Sequence, residues 1–282
     1  MNINKHIYDD KIGVEMDTGL QLKGDRKILI IGGSSYIGRH LFAQLGHSKA
    51  IATYCRNPMD SGVYFDSLSM SLKEIIKCPQ EIACAVILIG DTNPDSCARD
   101  ISKSRALNVG SIKSILESLK YWRIKPIFTS TEFVFDGLKG NYVESDPTNP
   151  ILTYGLQKVE IENYLQDNFS EFVILRLAKV YGSESNDGTL FTNWLKSIEK
   201  TCTIHCAYDQ IFSPLYINDL VNGIIKVINQ GCNGIFHISG KKAFARIELL
   251  EMFLRQIKKY SALNIKVNPQ SIHDFPLCEK RP

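Results

Sequence analysis

The chain has 282 residues, 44% of them hydrophobic and 22% charged, which is typical of a globular protein with a large buried core. Its 33 basic and 30 acidic residues leave a net charge of +3, too small for the basic surface that nucleic-acid binding requires, so we expect no nucleic-acid partner. The N-terminus is polar and every apolar run is short, which argues against a signal peptide, a membrane span and a membrane partner.

The eight cysteines have no framework spacing, which favours reduced thiols and a soluble, cytoplasmic protein. The segment Cys202-Thr203-Ile204-His205-Cys206 is the one that suggests a metal. It alternates like a strand, which would direct Cys202 and Cys206 to one face and His205 to the other, and no second pair of zinc ligands lies nearby. We therefore predict no metal site.

Residues 1–26 have no sustained hydrophobic period, and we interpret them as an N-terminal arm. From residue 27 onward, short apolar segments typical of buried strands alternate with segments of helical period. The predicted strands are 27–31, 50–55, 63–65, 83–89, 126–131, 172–176, 203–207 and 234–238. The predicted helices are 37–45, 102–119, one that carries Tyr154, 189–199, 217–228 and 245–259.

Buried strands that alternate with helices indicate a parallel sheet covered on both faces. We predict an α/β protein with a Rossmann-type doubly wound parallel sheet and a smaller C-terminal substrate lobe. Residues 27–182 would form the NAD(P)-binding domain, which 217–240 would also join. Residues 183–216 and 241–282 would form the substrate-binding lobe.

The first predicted strand ends in the glycine-rich turn Gly32-Gly33-Ser34-Ser35-Tyr36-Ile37-Gly38. In dinucleotide-binding folds such a turn opens a helix whose N-terminus faces the cofactor's pyrophosphate. A glycine turn alone is a weak signal, but its position between a strand and a helix supports this interpretation over a plain βα turn.

Arg56 lies at the end of the second predicted strand. Enzymes that use NAD usually have an acidic residue there, which binds the ribose hydroxyls, whereas an arginine suits the 2′-phosphate of NADP. We predict NADP, as NADPH, with NAD and a surface arginine without a role as the alternatives.

Tyr154 and Lys158 are four residues apart, so on a helix their side chains share one face. We expect the ammonium to lower the pKa of the phenol towards neutrality, where it could exchange a proton with a carbonyl or an alcohol. The spacing is not specific. Chance gives about one such pair in a chain of this composition, and Tyr121 with Lys125 forms a second.

Several motifs occur in an order typical of one family. They are the glycine turn, 130–137 (STEFVFDG), 147–150 (PTNP), 154–158 (YGLQK), 209–214 (DQIFSP), 219–220 (DL) and 279–282 (EKRP). With these motifs, residues 27 to 282 resemble the extended short-chain dehydrogenase/reductases of the NAD-dependent epimerase/dehydratase superfamily. Within that superfamily they resemble the dTDP-4-dehydrorhamnose reductases.

The resemblance selects Tyr154 over Tyr121, because Thr131 lies upstream of Tyr154 at the end of a strand. It implies that Thr131 polarises the substrate carbonyl, Tyr154 donates the proton and Lys158 holds the nicotinamide ribose. Asn108 would link the central helix to Lys158, with an ordinary helix-surface Asn as the alternative. The implied cofactor-binding residues are Gly32, Ser34, Ser35, Tyr36, Ile37, Arg56, Asp66, Gly90, Asp91, Tyr154 and Lys158. The implied substrate-binding residues are Thr131, Glu132, Phe133, Gln210 and Arg281.

Two departures from the family pattern stand out. Ser35 replaces a usual glycine at the closest approach to the pyrophosphate, where its hydroxyl would either weaken cofactor binding or add a hydrogen bond. Glu132-Phe133 replaces the Asp-Tyr of the reductases, so the rim of the active site differs.

The resemblance implies an NADPH-dependent reductase of a nucleotide-linked 4-keto-6-deoxy sugar. Its partner would be the nucleotide-sugar substrate, and a homodimer is one oligomeric state that the resemblance allows. A sugar-nucleotide epimerase of the same fold is an alternative, whereas dehydration is disfavoured because Phe133 cannot transfer protons. A non-catalytic, NADP-binding regulatory subunit is another alternative, since the methionine adenosyltransferase regulatory subunit resembles the same reductases and a fold does not guarantee turnover.

Overall fold

The computed structural model describes residues 25–185, 187–260 and 263–282. The N-terminal arm predicted for residues 1–26 therefore lies outside the described residues, apart from its last two positions. Within the described ranges, no helix has both the length and the apolar character that crossing a membrane requires.

Strands and helices alternate along most of the described chain. The strands are β1 (Lys27–Ile31), β2 (Ala50–Tyr54), β3 (Val63–Tyr64), β4 (Ile82–Ile87), β5 (Lys125–Thr131), β6 (Val173–Leu177), β7 (Val180–Tyr181), β8 (Thr203–Ala207), β9 (Ile211–Phe212), β10 (Leu215–Tyr216), β11 (Gly234–Ile238), β12 (Phe244–Ala245) and β13 (Lys266–Gln270). The helices are α1 (Tyr36–Lys49), α2 (Leu72–Ile75), α3 (Pro94–Arg99), α4 (Ile101–Arg105), α5 (Ile112–Trp122), α6 (Thr153–Asn168), α7 (Leu190–Thr201), α8 (Ile217–Asn229) and α9 (Arg246–Ile257).

Seven strands form one sheet in the order β11-β6-β5-β4-β1-β2-β3, and each neighbouring pair is parallel. The order reverses between β1 and β4, which is the switch point where open α/β sheets bind ligands. The predicted fold class, a doubly wound parallel sheet, is confirmed.

Strand β1 shows why both faces of the sheet are covered. Ile28 and Ile30 pack in a core cluster with α1 and α8, whereas Leu29 and Ile31 pack in a second cluster with α5 and α6. Successive side chains of a strand point to opposite faces, so an unbroken apolar run buries both faces at once.

A third apolar cluster joins α7, α9, β8 and β13. β8 and β13 pair in a separate parallel sheet, whereas β11 pairs with β6 at the edge of the main sheet. The division of the chain into a cofactor domain and a substrate lobe stays a prediction.

The predicted strand placement of Cys202 is wrong. This residue ends α7 in the left-handed conformation, and β8 begins at Thr203. His205 is exposed and Cys206 is buried in the third cluster. The described residues contain no group of three or more His, Cys, Asp or Glu side chains suited to a metal ion.

The predicted helix 102–119 is interrupted. A π-helical segment, Ala106–Ser111, joins α4 to α5 and contains Asn108. Such segments are rare and often occur at functional sites.

Helix α6 is anchored to the sheet by a buried ion pair. Arg176 of β6 binds the Glu162 carboxylate through Nε and Nη2, the latter at 2.7 Å, and both side chains are at most 4% exposed. The Ser130 hydroxyl also donates to Glu162. Tyr154 and Lys158 lie on the same helix, so this pair determines where their side chains meet the sheet.

We predict that Glu162→Gln lowers the free energy of unfolding by about 3–5 kcal/mol, because the Arg176 charge would stay buried without its partner. Chemical denaturation would measure the change. Glu160→Gln on the same helix is the matched control, since the Glu160 pairs with Arg105 and Lys113 are partly exposed, and such pairs contribute about 1 kcal/mol or less each. Equal losses in the two variants would contradict the prediction.

Candidate active site

The predicted dinucleotide turn forms between β1 and α1. Gly32 has a φ of +92°, which favours glycine. A Cβ on Gly38 would lie 2.3 Å from the Gly32 carbonyl oxygen, so the first turn of α1 packs directly on the loop. The turn thus leaves backbone N–H groups at a helix N-terminus available for an anion.

Ser35 is the N-cap of α1. Its Oγ accepts a hydrogen bond from the Gly38 backbone N at 3.1 Å. The serine thus stabilises the helix that the glycine turn opens, which is a structural reason for its presence. Its hydroxyl hydrogen is still available to donate to a ligand.

Asn108 holds the loop that follows β4. Its Oδ1 accepts from the Asp91 backbone N at 2.7 Å, and its Nδ2 donates to the Asp91 carbonyl and to Gln157. Asn108 is completely buried. It reaches α6 through Gln157, the neighbour of Lys158, and not through Lys158 itself.

Arg56 and Lys103 line one cavity of about 370 Å³ together with Gly90 and Asp91. Both side chains are exposed, and within the described residues neither charge has a side-chain partner. Lys103 was not predicted, and it lies on α4, far from Arg56 in the chain. Asp66, another implied cofactor-binding residue, accepts hydrogen bonds from the Leu68 backbone N and the Ser69 hydroxyl of its own turn.

Thr131, Tyr154 and Lys158 come together at the carboxyl edge of β5, and each is at most 7% exposed. The Thr131 hydroxyl lies beside the Tyr154 phenol, and it accepts a hydrogen bond from the Phe133 backbone N at 3.3 Å. The Lys158 Nζ lies 5.7 Å from the centre of the Tyr154 ring and donates to the Thr129 carbonyl at 2.8 Å. A hydroxyl, a phenol and an ammonium therefore share one site.

The second Tyr/Lys pair does not form a site. Tyr121 is 75% exposed, and Lys125 donates to the Cys232 carbonyl at 2.6 Å. Lys125 begins β5, so it lies at the opposite edge of the sheet from Thr131.

The expected lowering of the Tyr154 pKa is wrong for this structure. Burial raises the pKa of Tyr154, and the hydrogen bond from Thr131 opposes that shift. Burial also lowers the pKa of Lys158 to about 8, opposed by the Glu162 carboxylate. The expected shift came from the attraction between the two groups, whereas the loss of water around each group is the largest effect on its pKa.

The predicted substrate side begins at Glu132 and Phe133, directly after β5. The Phe133 ring meets the Tyr154 ring edge to face at 6.4 Å. Glu132 is half-buried, and the loss of water raises its pKa to about 7 although the Lys179 charge opposes the shift. The rim therefore holds a carboxyl group that titrates near neutrality.

The remaining predicted substrate residues bind other side chains. Gln210 Oε1 accepts from Arg246 Nη1 at 3.0 Å. Arg281 pairs with Asp95 at 2.6 Å and is 8% exposed. Lys179 and Arg246 were not predicted. The position of Lys179 just after β6, at the ligand-binding edge, was a signal that could have found it, whereas nothing local marked Arg246.

The doubly wound parallel sheet has a glycine turn at its switch point and a Thr-Tyr-Lys group at its carboxyl edge. These features define a dinucleotide-binding protein of the short-chain dehydrogenase/reductase type. More narrowly, the chain belongs to the family described as the RmlD substrate binding domain, whose model matches residues 26–282. The resemblance inferred from the motifs is confirmed.

Similar proteins carry several names. A dTDP-4-dehydrorhamnose reductase of Aggregatibacter actinomycetemcomitans is 23% identical over 91% of this chain and 88% of its own length. The methionine adenosyltransferase 2 subunit beta of Danio rerio is 24% identical over 79% of this chain and 72% of its own. The crystal structure of a Bacillus anthracis dTDP-4-dehydrorhamnose reductase in complex with NADP has a TM-score of 0.78 and 21% identity, and the match covers 92% of this chain and 88% of that one.

The burial of Lys158 predicts how stability depends on pH. Its folded pKa of about 8 is below the ordinary value of 10.5, so between these values the unfolded chain binds more protons and stability rises with pH. Between pH 7 and pH 10 the wild type should gain roughly 2–3 kcal/mol relative to Lys158→Met. Urea denaturation of both proteins at several pH values would test this, and parallel curves would contradict it.

Proposed function

We propose that the chain is an NADPH-dependent reductase of a nucleotide-linked 4-keto-6-deoxy sugar. The observation that carries the proposal is the meeting of Thr131, Tyr154 and Lys158 at the sheet edge that also holds the dinucleotide turn. Family membership and the names of the relatives support it.

The described residues fit NADPH. The backbone of the glycine turn lies close to the N-terminus of α1. Any side chain at position 38 would clash with the backbone of Gly32 and Gly33. Arg56 and Lys103 supply two free cations on one cavity, as a 2′-phosphate requires. When bound, NADPH supplies the hydride.

Side chains of the protein would supply the proton and stabilise the negative charge that its transfer leaves behind. Because burial raises the pKa of Tyr154, the phenol is protonated at neutral pH and meets the ketone as an acid. Thr131 would donate a hydrogen bond to the carbonyl oxygen, where negative charge develops. With a pKa of about 8, Lys158 is mostly charged at pH 7 and stabilises the tyrosinate left by proton transfer.

Two alternatives keep the same fold. An epimerase could use the same three residues with a retained cofactor, and the titrating Glu132 is the observation that favours it. A regulatory subunit would bind NADP without turnover, as the likeness to a methionine adenosyltransferase subunit suggests. The intact Thr131, Tyr154 and Lys158 weigh against this second alternative.

We also propose a cytoplasmic location, supported by eight cysteines that are all free. A homodimer and the absence of a nucleic-acid partner stay predictions.

Tyr154→Phe should lower kcat/KM for NADPH oxidation by about 10²- to 10⁴-fold, because the proton donor is lost. Absorbance of the reduced cofactor would be followed with a panel of dTDP-, UDP- and GDP-linked 4-keto sugars. Tyr121→Phe is the matched control and should retain activity.

The other outcomes of this assay separate the alternatives. A sugar converted without net NADPH consumption would indicate an epimerase. Tight NADP binding without any sugar conversion would indicate a regulatory subunit, and full activity of Tyr154→Phe would refute the catalytic assignment.

Removing the Arg56 and Lys103 charges should weaken NADPH binding and leave NADH binding unchanged. Each charge-assisted hydrogen bond to the 2′-phosphate contributes about 1.5–3 kcal/mol, so Arg56→Ala and Lys103→Ala should each raise the Kd for NADPH by about 10- to 100-fold. Calorimetric titration would measure both cofactors, with Lys200→Ala on α7 as the control. An equal loss of NADPH and NADH affinity would contradict a role at the 2′-phosphate.

A further inference from the structure

Helix α6, which carries Tyr154, has no capping side chain next to it in the chain. Its N-cap residue, Leu152, has no side-chain atom that could accept a hydrogen bond. By contrast, Ser35, Asn93 and Asp100 accept from backbone N–H groups at the starts of α1, α3 and α4. Since the first N–H groups of a helix have no partner within the helix, the start of α6 needs an acceptor from elsewhere.

Glu279 supplies this acceptor from a position 126 residues away from Thr153 in the chain. Its carboxylate accepts hydrogen bonds from the Thr153 backbone N at 3.0 and 3.1 Å and from the Thr153 hydroxyl at 2.7 Å. A negative charge at a helix N-terminus also interacts favourably with the helix dipole. Because Tyr154 directly follows Thr153, this contact holds the turn of the helix that carries the phenol.

The segment that contains Glu279, residues 278–282, is held in turn by helix α3. The Cys278 backbone N donates to Asp95 Oδ1 at 2.8 Å, and Arg281 Nη2 pairs with Asp95 Oδ2 at 2.6 Å. Arg281 Nη1 also donates to the Glu279 carbonyl at 3.2 Å. Contacts with Asp95 on both sides of Glu279 therefore fix the backbone from which its carboxylate reaches α6.

Helix α3 connects the same segment to the cofactor side of the site. Ser96, the neighbour of Asp95, donates from its hydroxyl to the Asp91 carboxylate at 2.5 Å. Asp91 lines the cavity that also contains Arg56. Residues 278–282 thus join the start of α6 to the loop at the cofactor cavity. These are the two parts that must be aligned for a hydride and a proton to reach the same carbonyl group.

We propose that Glu279 is a positioning residue for proton transfer. Through Thr153 it holds the first turn of α6, so that the Tyr154 phenol meets the oxygen of the ketone. The proposal rests on the reductase function proposed above, and it deepens that function by assigning a residue that acts through another side chain. The reaction is sensitive to this hold, because a misplacement of about 1 Å can lower a rate about 10²-fold.

The test is single-turnover oxidation of NADPH over a range of sugar concentrations. The sugar is dTDP-4-keto-6-deoxyglucose, or the UDP or GDP counterpart if the wild type reduces that faster. Glu279→Ala should lower the maximal rate about 10- to 100-fold and change the half-saturating sugar concentration and the Kd for NADPH by less than about 2-fold. Glu279→Gln should be only about 3- to 10-fold slower than the wild type, because its amide oxygen can still accept from the Thr153 N–H.

Two further variants test the same contact. Asp95→Asn removes the charge that holds Arg281 and leaves Glu279 in place, so it should lower the maximal rate less than Glu279→Ala does. Lys280→Ala removes an exposed charge from the same segment, and as the matched control it should retain the wild-type rate. Amide hydrogen exchange of residues 150–158, followed by mass spectrometry, should be faster in Glu279→Ala and unchanged in Lys280→Ala.

Two results would overturn the proposal. A lower midpoint of thermal unfolding in Glu279→Ala with an unchanged maximal rate would mean that Glu279 only stabilises the fold. A higher half-saturating sugar concentration with an unchanged maximal rate would assign Glu279 to substrate binding instead.

Failure of this inference and failure of the reductase function give different results. If the wild type oxidises no NADPH, the reductase function fails, and faster exchange of residues 150–158 in Glu279→Ala still supports the hold on α6. NADPH oxidation by the wild type, with the same maximal rate in Glu279→Ala, supports the reductase and contradicts the positioning role.

Discussion

The active-site geometry depends on how helix α6 is held against the sheet. The Glu162–Arg176 ion pair lies between α6 and β6 with almost no exposure, and Ser130 of β5 adds a third contact. Separating the two charges would cost several kcal/mol, because each would then be buried without a partner. The pair thereby fixes the rotation and height of the helix. Tyr154 and Lys158, two and one turns away, meet the end of β5 at defined positions.

The same burial that positions these residues sets their chemistry. An exposed tyrosine beside a lysine would be expected to lose its proton more easily, since attraction between the charges would dominate. Here both groups lie in the interface between helix and sheet, where the loss of water is the largest effect on the pKa of each. The free site therefore holds a protonated phenol, which is the form that a reductase needs when its substrate arrives.

Positive charge also lies on the dinucleotide side of this site. Arg56 and Lys103 line one cavity there, and they come from segments that are far apart in the chain. Two exposed cations on one cavity fit the phosphorylated dinucleotide that we propose.

Much of the fold and part of the candidate site could be predicted from local sequence patterns. The apolar runs and their alternation with helical segments determined a doubly wound parallel sheet, because strand and helix periods are properties of neighbouring residues. The motif order selected Tyr154 over Tyr121, and the structure leaves Tyr121 in solvent. A local sequence pattern does not contain two kinds of information. It does not show which distant segments of the chain meet, or how much water each ionisable group loses on folding. The meeting of Arg56 and Lys103 on one cavity and the direction of the Tyr154 pKa shift both depend on those through-space relations, so only the folded chain decided them.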